Sequence, residues 1–483
     1  MKSYSLFGTK VALICIVIVS YFIKGGKIMV QHVEVTLKRA LGFWQSFGIA
    51  VGLVVAGTTM VSLAYTFGAT GPAFIVTAAL AGVASIMIAM SYAELAAAIP
   101  GAGMIVDYTL PAMGRSMAIF GMLTGYIVLI TAGGATECFV AGQCAEAVWG
   151  INYKVFAGIL LTFFLIINIL GVEFLGRSQI ILTFGMIGIL VLFGIGGLLG
   201  IGTVSEPVPI AFAPFGWSAV AASMGGAIWL YIGIEYVCPM SEEIINPEKN
   251  VPRAMISGVM VIFVADMLFG EAILLYTPLE TLTTSVVPQL AGAEAMYGGA
   301  GMVALAIATI FAGGSSADSH MAAVPRMLFG LARDGMLPKV FAYIHPRFRT
   351  PWVAIFAVFA CMSIPFFIGL DINSIMTLIY TACTAWLVSY IIVQVDLIIL
   401  RKKYPKMHRP FRSPAYPLPQ IIGICTSAYT IYIMGTEIIL STLPYVVGFA
   451  AYSLIWVKFK MKEKCFEPVP FDKIKGVVVK FDN

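Results

Sequence analysis

Residues 47–59 read FGIAVGLVVAGTT, an apolar stretch with glycine at positions 48, 52 and 57. The stretch lies in a run of 54 residues, Ala40 to Ala93, that contains no charged side chain. About 20 apolar residues cross the hydrocarbon core of a bilayer, so the run can hold two membrane helices separated by Gly71-Pro72. Glycine inside the first helix indicates either close packing against a neighbouring helix or a break in the helix itself.

The composition extends this pattern to the whole chain. Of the 483 residues, 60% are hydrophobic and 11% are charged, and the mean hydropathy is +0.95. Soluble proteins carry about 25% charged residues, so the lipid bilayer must solvate most of this chain. Apolar runs of spanning length recur from residue 43 to residue 458 and predict an all-α integral membrane protein with twelve transmembrane helices.

Basic residues predict the orientation of these helices. When the Met29 end is placed in the cytoplasm, 24 of the 25 Lys and Arg residues from there onward fall on the cytoplasmic side, and only Lys154 falls outside. This asymmetry is what the positive-inside rule requires. We therefore expect a multi-pass protein of the cell membrane with both termini cytoplasmic. The net charge of +5 reflects this topology, and no nucleic-acid partner is expected.

The N-terminal segment 1–34 fits the pattern poorly. Residues 11–23 form an apolar run of 13 residues flanked by lysine, which is too short to cross a bilayer comfortably. Met29 is a possible true start of the protein, and the alternative is that the segment is signal-like or an additional anchor. No function is predicted for this segment.

A second glycine cluster occurs in the sixth predicted helix. Residues 225–235 read GGAIWLYIGIE, five helices after the first cluster. Glycine also serves close helix packing, but matched breaks in two halves of a chain are typical of transporters built from inverted repeats. A break frees N–H groups that suit a carboxylate and carbonyl groups that suit an ammonium or a cation. A zwitterionic amino acid is the simplest ligand for both ends.

Four loop segments carry a family signature. They read AELAAAIPGAG at 93–103, SEEIINPEKNVPR at 241–253, LARDGMLPK and HPRFRTP within 326–351, and RPFRSPAYPLP within 401–419. In this order and spacing the chain resembles the amino acid–polyamine–organocation (APC) permease superfamily, from about residue 35 to residue 460. The resemblance and the paired breaks imply a leucine-transporter-like core of 5+5 inverted repeats followed by two further helices.

That architecture predicts the division of the chain. The first repeat, helices 1–5, is expected at 35–201, and the second, inverted repeat, helices 6–10, at 215–400. Helices 11–12 follow at 401–458, and a cytoplasmic tail occupies 459–483.

The resemblance also implies a substrate site at the breaks. In the family, backbone amides of the first break bind the substrate carboxylate, and these correspond to Ala56, Gly57 and Thr58 here. Carbonyl groups near Val54 and Ile232 are expected to take the amine.

Two aromatic residues of the second break are further candidates. Trp229 matches the position where many members place an aromatic gate over the substrate, and its carbonyl is also expected to contact the amine. Tyr231 is a neighbouring candidate. Ordinary packing is the alternative for both rings.

The coupling ion is left open by the sequence. Many proton-coupled members carry a lysine nine residues after the position of Arg177, whereas this chain has Met186. Sodium coupling, a different proton carrier and exchange without a cation all remain, with Na+ or H+ as the possible coupling ion. Ser315 and Ser316 match hydroxyl ligands of sodium-coupled relatives, although serine also bonds back to its own helix. Glu235 either bonds to the second break or takes part in protonation. No metal site or other cofactor is expected.

Other functions are weighed against amino acid transport. The chain lacks HExxH and the phosphate-binding GxxxxGK[ST], so a membrane-embedded enzyme is disfavoured and no enzymatic activity is expected. A polyamine or small-amine transporter of the same fold is the alternative. Such a carrier should show an acidic residue reaching the pocket, and Glu137 of the third helix could favour a cationic substrate. The neighbouring Ala132-Gly133-Gly134 leaves room for a bulky one. Which substrate is carried, whether by symport or exchange, and the oligomeric state stay open.

Overall fold

The structure is a computed structural model that describes residues 39–285, 287–368 and 372–482. The predicted N-terminal segment 1–34, with the possible start at Met29, lies outside the described residues. Within them, regular structure is helical apart from two isolated β-bridges, Leu41–Ile244 and Met407–Phe481. The α-helices are α1 Phe43–Val54, α2 Gly57–Thr70, α3 Phe74–Ala98, α4 Ile105–Met113, α5 Arg115–Met122, α6 Ala135–Trp149, α7 Tyr153–Leu170, α8 Val172–Leu198, α9 Gly216–Ala222, α10 Met224–Trp229, α11 Pro247–Tyr276, α12 Leu279–Thr284, α13 Pro288–Arg333, α14 Trp352–Ile368, α15 Ile372–Lys403, α16 Leu418–Ile433 and α17 Thr436–Ile455.

Shorter helical turns connect several of these helices. The π-helical segments Leu123–Ile127 and Ile130–Gly134 join α5 to α6, so that residues 115–149 form one nearly continuous helix. A further π-helical segment, Trp456–Met461, extends α17, and 3-10 turns occur at Ile234–Met240, Lys339–Ala342 and Phe471–Lys473.

The helices have the length and composition of membrane spans. In the part of the chain that the structure describes, eight helices are long and apolar enough to cross a membrane, and a ninth span results when the bent pair α1 and α2 is counted as one. The apolar helices Trp352–Ser363 and Leu418–Ile433 are shorter. The prediction of an all-α, multi-pass membrane protein is therefore confirmed. The count of twelve stays a prediction.

The first membrane helix is broken where the sequence predicts it. Val55 and Ala56 leave the helical conformation, and α1 and α2 meet at an angle of 52°. The carbonyl of Val54 accepts from the hydroxyl of Thr59 at 2.7 Å and from the N–H of Ala56 at 2.9 Å, so this freed carbonyl is paired within the protein. Gly52 serves close packing instead, because a Cβ there would collide with the side chain of Ser315. Both interpretations of glycine therefore apply within one helix.

The second break follows α10. After Trp229 the chain makes a turn, and Gly233 adopts φ +106°, a conformation that favours glycine, before the 3-10 turn Ile234–Met240. A Cβ at Gly233 would also collide with Leu53 of α1, so the two breaks approach each other directly. The N–H of Gly233 donates to the hydroxyl of Tyr390 at 3.1 Å.

The four signature segments are joined by buried ion pairs, and the first group centres on Glu94. This fully buried carboxylate accepts from Arg401 Nε at 2.8 Å and lies 3.2 Å from Arg409 Nε. It also accepts from the N–H of Ser413 at 2.7 Å. The segment after α3 is thus tied to the segment after α15.

The second group pairs the segment after the second break with the end of α13. Glu243 and Arg326 are both buried and form a two-pronged pair with N–O distances of 3.3 Å. Glu242 accepts from Arg333 at 2.9 Å and also from the N–H of Ala102 at 2.9 Å. Such pairing is what allows charges to be buried.

The C-terminal segment 462–482 packs against three separate parts of the protein. Val469 and Ile474 are buried although the segment follows the last helix. Hydrogen bonds that attach the segment include Val469 N to Leu110 O at 2.9 Å, Lys475 N to Asp334 Oδ1 at 2.9 Å, and His408 N to Lys480 O at 2.8 Å. We call this segment the tail strap.

Candidate substrate site at the two helix breaks

A small cavity lies where the two breaks meet. Its volume is about 20 Å³, enough for about one water molecule. The lining residues come from both breaks, from the third span and from α13 and α15: Leu53, Val54, Ala56, Thr59, Leu129, Gly133, Glu137, Trp229, Ile232, Ser316, His320 and Trp386.

Several residues predicted from sequence line this cavity, namely Val54, Ala56, Trp229, Ile232 and Ser316. Four of them lie at the two breaks, and Ser316 comes from α13. The backbone interruption that exposes the carbonyl groups and amides of each half-helix therefore lies at the cavity wall.

Glu137 occupies the position predicted for the substrate carboxylate. The N–H of Thr58 donates to Glu137 Oε2 at 3.2 Å, and the Thr58 hydroxyl donates to the other carboxylate oxygen. Thr58 lies in the first turn of α2, where the helix dipole favours an anion. The amide of Gly57 is also directed at this carboxylate. The first break therefore holds a carboxylate that belongs to the protein.

Tyr231 is directed away from the cavity. Its hydroxyl donates to the carbonyl of Ala78 on α3 at 2.9 Å, and it is absent from the cavity wall. This placement matches the packing alternative for Tyr231. Trp229, in contrast, lines the cavity, as a gate residue requires.

Glu235 is held by three donors next to the second break. It accepts from Trp386 Nε1 at 2.7 Å and from the hydroxyls of Tyr390 at 2.6 Å and Tyr126 at 3.2 Å. Since Tyr390 also accepts from the amide of Gly233, the carboxylate fixes the break against α15. The geometry matches the hydrogen-bonding alternative for this residue.

Ser315 belongs to a separate polar cluster behind α1. Its hydroxyl donates to Gln179 Oε1 at 2.9 Å, and Gln179 Nε2 donates to the Ser315 carbonyl at 2.9 Å and to Ser319 Oγ at 3.0 Å. Thr183 donates to the carbonyl of Gly48 at 3.1 Å. Helices α1, α8 and α13 therefore meet around a neutral amide nitrogen and several oxygens.

Two members of this cluster and part of the cavity wall were not predicted from the sequence. The prediction for α8 concerned Met186, whereas Gln179 and Thr183 face α13. Their spacing of four residues, which places them on one helix face, was the available signal. The same spacing relates Ser316 to His320, which lines the cavity. Among the described residues, no group of three or more His, Cys, Asp or Glu side chains could hold a metal ion.

Comparison with known proteins agrees with this geometry. The family model described as amino acid permease matches residues 41–457. The methylthioribose transporter of Bacillus subtilis (strain 168) is 26% identical over 459 residues, covering 89% of this chain and 95% of the relative. From the same organism, the branched-chain amino acid permease BcaP is 24% identical (87% and 94% covered), and the serine/threonine exchanger SteT is 24% identical (84% and 93% covered).

Proposed function

We propose that this chain, which belongs to the amino acid permease family, is a secondary transporter. In this proposal it moves amino acids across the cell membrane by alternating access. Membership of this family makes it a multi-pass transporter of small solutes and not an enzyme. The observation that carries the proposal is the meeting of two broken helices at one buried cavity. The names of BcaP and SteT, which include amino acids, support the substrate class.

The proposal includes the twelve-helix topology with cytoplasmic termini. In this proposal the eight long spans and the bent pair are joined by three further crossings, which are the π-interrupted helix at 115–149 and the two shorter apolar helices. Inverted repeats at 35–201 and 215–400, helices 11–12 at 401–458 and a cytoplasmic tail at 459–483 follow from the matched breaks. The positive-inside distribution supports the orientation.

In this mechanism Glu137 exchanges partners when the substrate binds. The substrate carboxylate takes the amides of Ala56, Gly57 and Thr58, which suit an anion at the start of α2. The released carboxylate of Glu137 then pairs with the substrate ammonium. The carbonyl groups of Val54, Trp229 and Ile232 complete the amine subsite. Because the cavity has a volume of only about 20 Å³, one side must open for substrate entry, as alternating access requires.

A polyamine or small amine is the second candidate substrate. The observation that favours it is the bond from the N–H of Thr58 to Glu137, because this carboxylate already fills the anion position. An amine without a carboxylate would leave that bond intact and pair directly with Glu137.

For the coupling mechanism, the cluster around Gln179 supports transport without sodium. A cation among these oxygens would have to displace an amide that donates to Ser315 and Ser319. Exchange is therefore the form of transport that we favour, and a proton carrier elsewhere is the alternative.

Uptake into proteoliposomes tests the proposal. Labelled amino acids and amines are offered with no gradient, with an imposed proton gradient and with an imposed sodium gradient, and with unlabelled substrate inside. We expect at least one amino acid to enter faster than into empty liposomes, with acceleration by internal substrate and no effect of sodium. Uptake of amines alone would replace the amino acid proposal with the second candidate.

A further inference from the structure

Two buried polar groups on the cavity wall have no hydrogen-bond partner among residues 39–285, 287–368 and 372–482. One is Nδ1 of His320, a residue that is 2% exposed, and the other is the indole N–H of Trp229, which is 8% exposed. His320 comes from α13 and Trp229 from the end of α10, and both residues line the cavity. Buried polar groups normally have hydrogen-bond partners. Two such groups without partners at one cavity therefore indicate where the polar atoms of a ligand bind.

Three other polar groups of the wall are paired within the protein. The Thr59 hydroxyl donates to Val54 at 2.7 Å, and the indole N–H of Trp386 donates to Glu235 at 2.7 Å. Glu137 is held by Thr58. His320 and Trp229 therefore offer unpaired polar atoms outside the backbone groups that would hold an amino acid's carboxylate and ammonium.

The surroundings of His320 hold its ring in place. The ring packs edge-on against Tyr236, with ring centroids 5.4 Å apart, and Gly134 lies beside it, where a Cβ would come within 3.2 Å of the imidazole. The remaining cavity wall includes the apolar side chains of Leu53 and Leu129. A fixed polar ring in a largely apolar wall is typical of a group that sets ligand specificity.

We propose that the preferred substrates are amino acids with an uncharged, hydrogen-bonding side chain, a hydroxyl or a carboxamide. The side-chain oxygen accepts from Trp229, which is only a donor, and the side chain makes its second bond with His320, which in neutral form has one donor and one acceptor nitrogen. This inference rests on the proposed transport of amino acids. An apolar side chain of the same shape leaves both groups unpaired, and sites of this kind reject such an analogue strongly.

The matched pair threonine and valine tests the inference, because the two side chains have the same shape. Uptake of labelled threonine and labelled valine is measured in proteoliposomes, and asparagine and leucine form a second pair. We expect kcat/KM to favour the polar member of each pair by at least about tenfold in the unmodified chain.

Two variants test which residues produce the preference for the polar substrate. Trp229→Phe keeps an aromatic ring but removes the N–H, and His320→Phe keeps a planar ring without its nitrogens. Each should reduce the preference for threonine over valine about tenfold, mainly through KM for threonine. Trp217→Phe is the control, because this tryptophan is 60% exposed and lies outside the cavity wall; it should leave the ratio unchanged.

The outcomes separate this inference from the proposed function. Equal uptake, or preference for valine and leucine, overturns the inference and leaves amino acid transport in place. Absence of any amino acid uptake, with amines transported, overturns both. If a variant fails to fold, the threonine-to-valine ratio of the unmodified chain still decides the matter.

Discussion

Glu137 determines what the first helix break holds in this structure. Its carboxylate accepts from the N–H and hydroxyl of Thr58, at the positive end of α2. A substrate carboxylate and this side chain therefore compete for the same donors. The charge of Glu137 distinguishes the two candidate substrates, since an amino acid is also held by its own carboxylate on the α2 amides, whereas an amine depends on Glu137 as its one charged partner.

Glu137→Gln tests this competition. The amide oxygen can still accept from Thr58, so the break stays supported, but the negative charge is lost. If amino acids are the substrates, we expect uptake at saturating concentration to stay within about tenfold of the unmodified chain, because the amides of α2 still bind the carboxylate. For an amine, uptake should fall by more than about a hundredfold. Initial rates in proteoliposomes distinguish these results, and Glu137→Asp is the charge-preserving control.

Asp107 gives a pH-dependent prediction outside the membrane spans. Burial in the short helix α4 raises its pKa from 3.8 to about 7, although Arg333 opposes the shift. Because the folded pKa exceeds the unfolded one, this group's contribution to stability is greatest below pH 3.8 and is lost as pH rises through about 7. Asp107→Asn removes the dependence and still accepts from the N–H of Gly103.

We therefore expect the midpoint of thermal unfolding to fall between pH 5 and pH 8, which lie on either side of the pKa of about 7. The fall should be steeper for the unmodified chain than for Asp107→Asn. At the higher pH the variant should be the more stable of the two. Thermal unfolding in detergent, followed at both pH values, provides the comparison. Parallel pH profiles for the two proteins would contradict the assignment to Asp107.

At this scale the sequence predicts backbone positions better than side-chain directions. Ala56 and Ile232 reach the cavity because a helix break exposes its backbone wherever its side chains point. Tyr231, two residues from Trp229, turns to Ala78 instead, and His320 reaches the cavity from another helix. The direction of Tyr231 depends on helix rotation and crossing, whereas the spacing of four residues from Ser316 was the signal available for His320.

Among the elements, the signature segments are joined in pairs by ionic contacts. Glu94 binds the segment after α15, while Glu242 and Glu243 bind the end of α13. The sequence identified all these segments by their motifs but gave no indication of which acid meets which arginine. Pairing across 83 positions of chain, as for Glu243 and Arg326, is a property of the packed helices.

Glu243→Gln should destabilise the protein strongly. Arg326 would remain buried without its counter-charge, and breaking a buried pair in this way costs about 3–5 kcal/mol. Thermal unfolding of the purified variant measures the loss. Glu467→Gln is the matched control, since its pair with Lys464 is exposed and such pairs contribute about 0–1 kcal/mol. Equal midpoints for the two variants would show that the buried pair is not a structural tie.

For the whole molecule, the tail strap connects three regions that the sequence keeps apart. It bonds to Leu110, Asp334 and His408, and it buries Val469 and Ile474. The sequence predicts only a cytoplasmic tail at 459–483 and no contact for it. Its packing depends on a surface that forms only when the helices are assembled.

Deletion of residues 467–482 should lower the unfolding midpoint by several degrees, because the apolar contacts and the bond to Asp334 are lost. The strap contributes no residue to the cavity wall, so KM for the transported substrate should change less than about threefold. Thermal unfolding and uptake kinetics of the deletion variant give both values. An unchanged midpoint would mean that the strap contributes nothing to the assembled fold.

The central claim is that the two helix breaks form an amino acid site. Uptake of labelled amino acids is compared for the unmodified chain, Gly57→Val and the control Gly158→Ala. A Cβ at Gly57 comes within 3.2 Å of Val140 and 3.4 Å of Glu137, whereas one at Gly158 meets nothing within 4 Å. We predict that Gly57→Val loses at least about tenfold in uptake while Gly158→Ala keeps it. Equal uptake by folded Gly57→Val and the unmodified chain would contradict a substrate site at the first break.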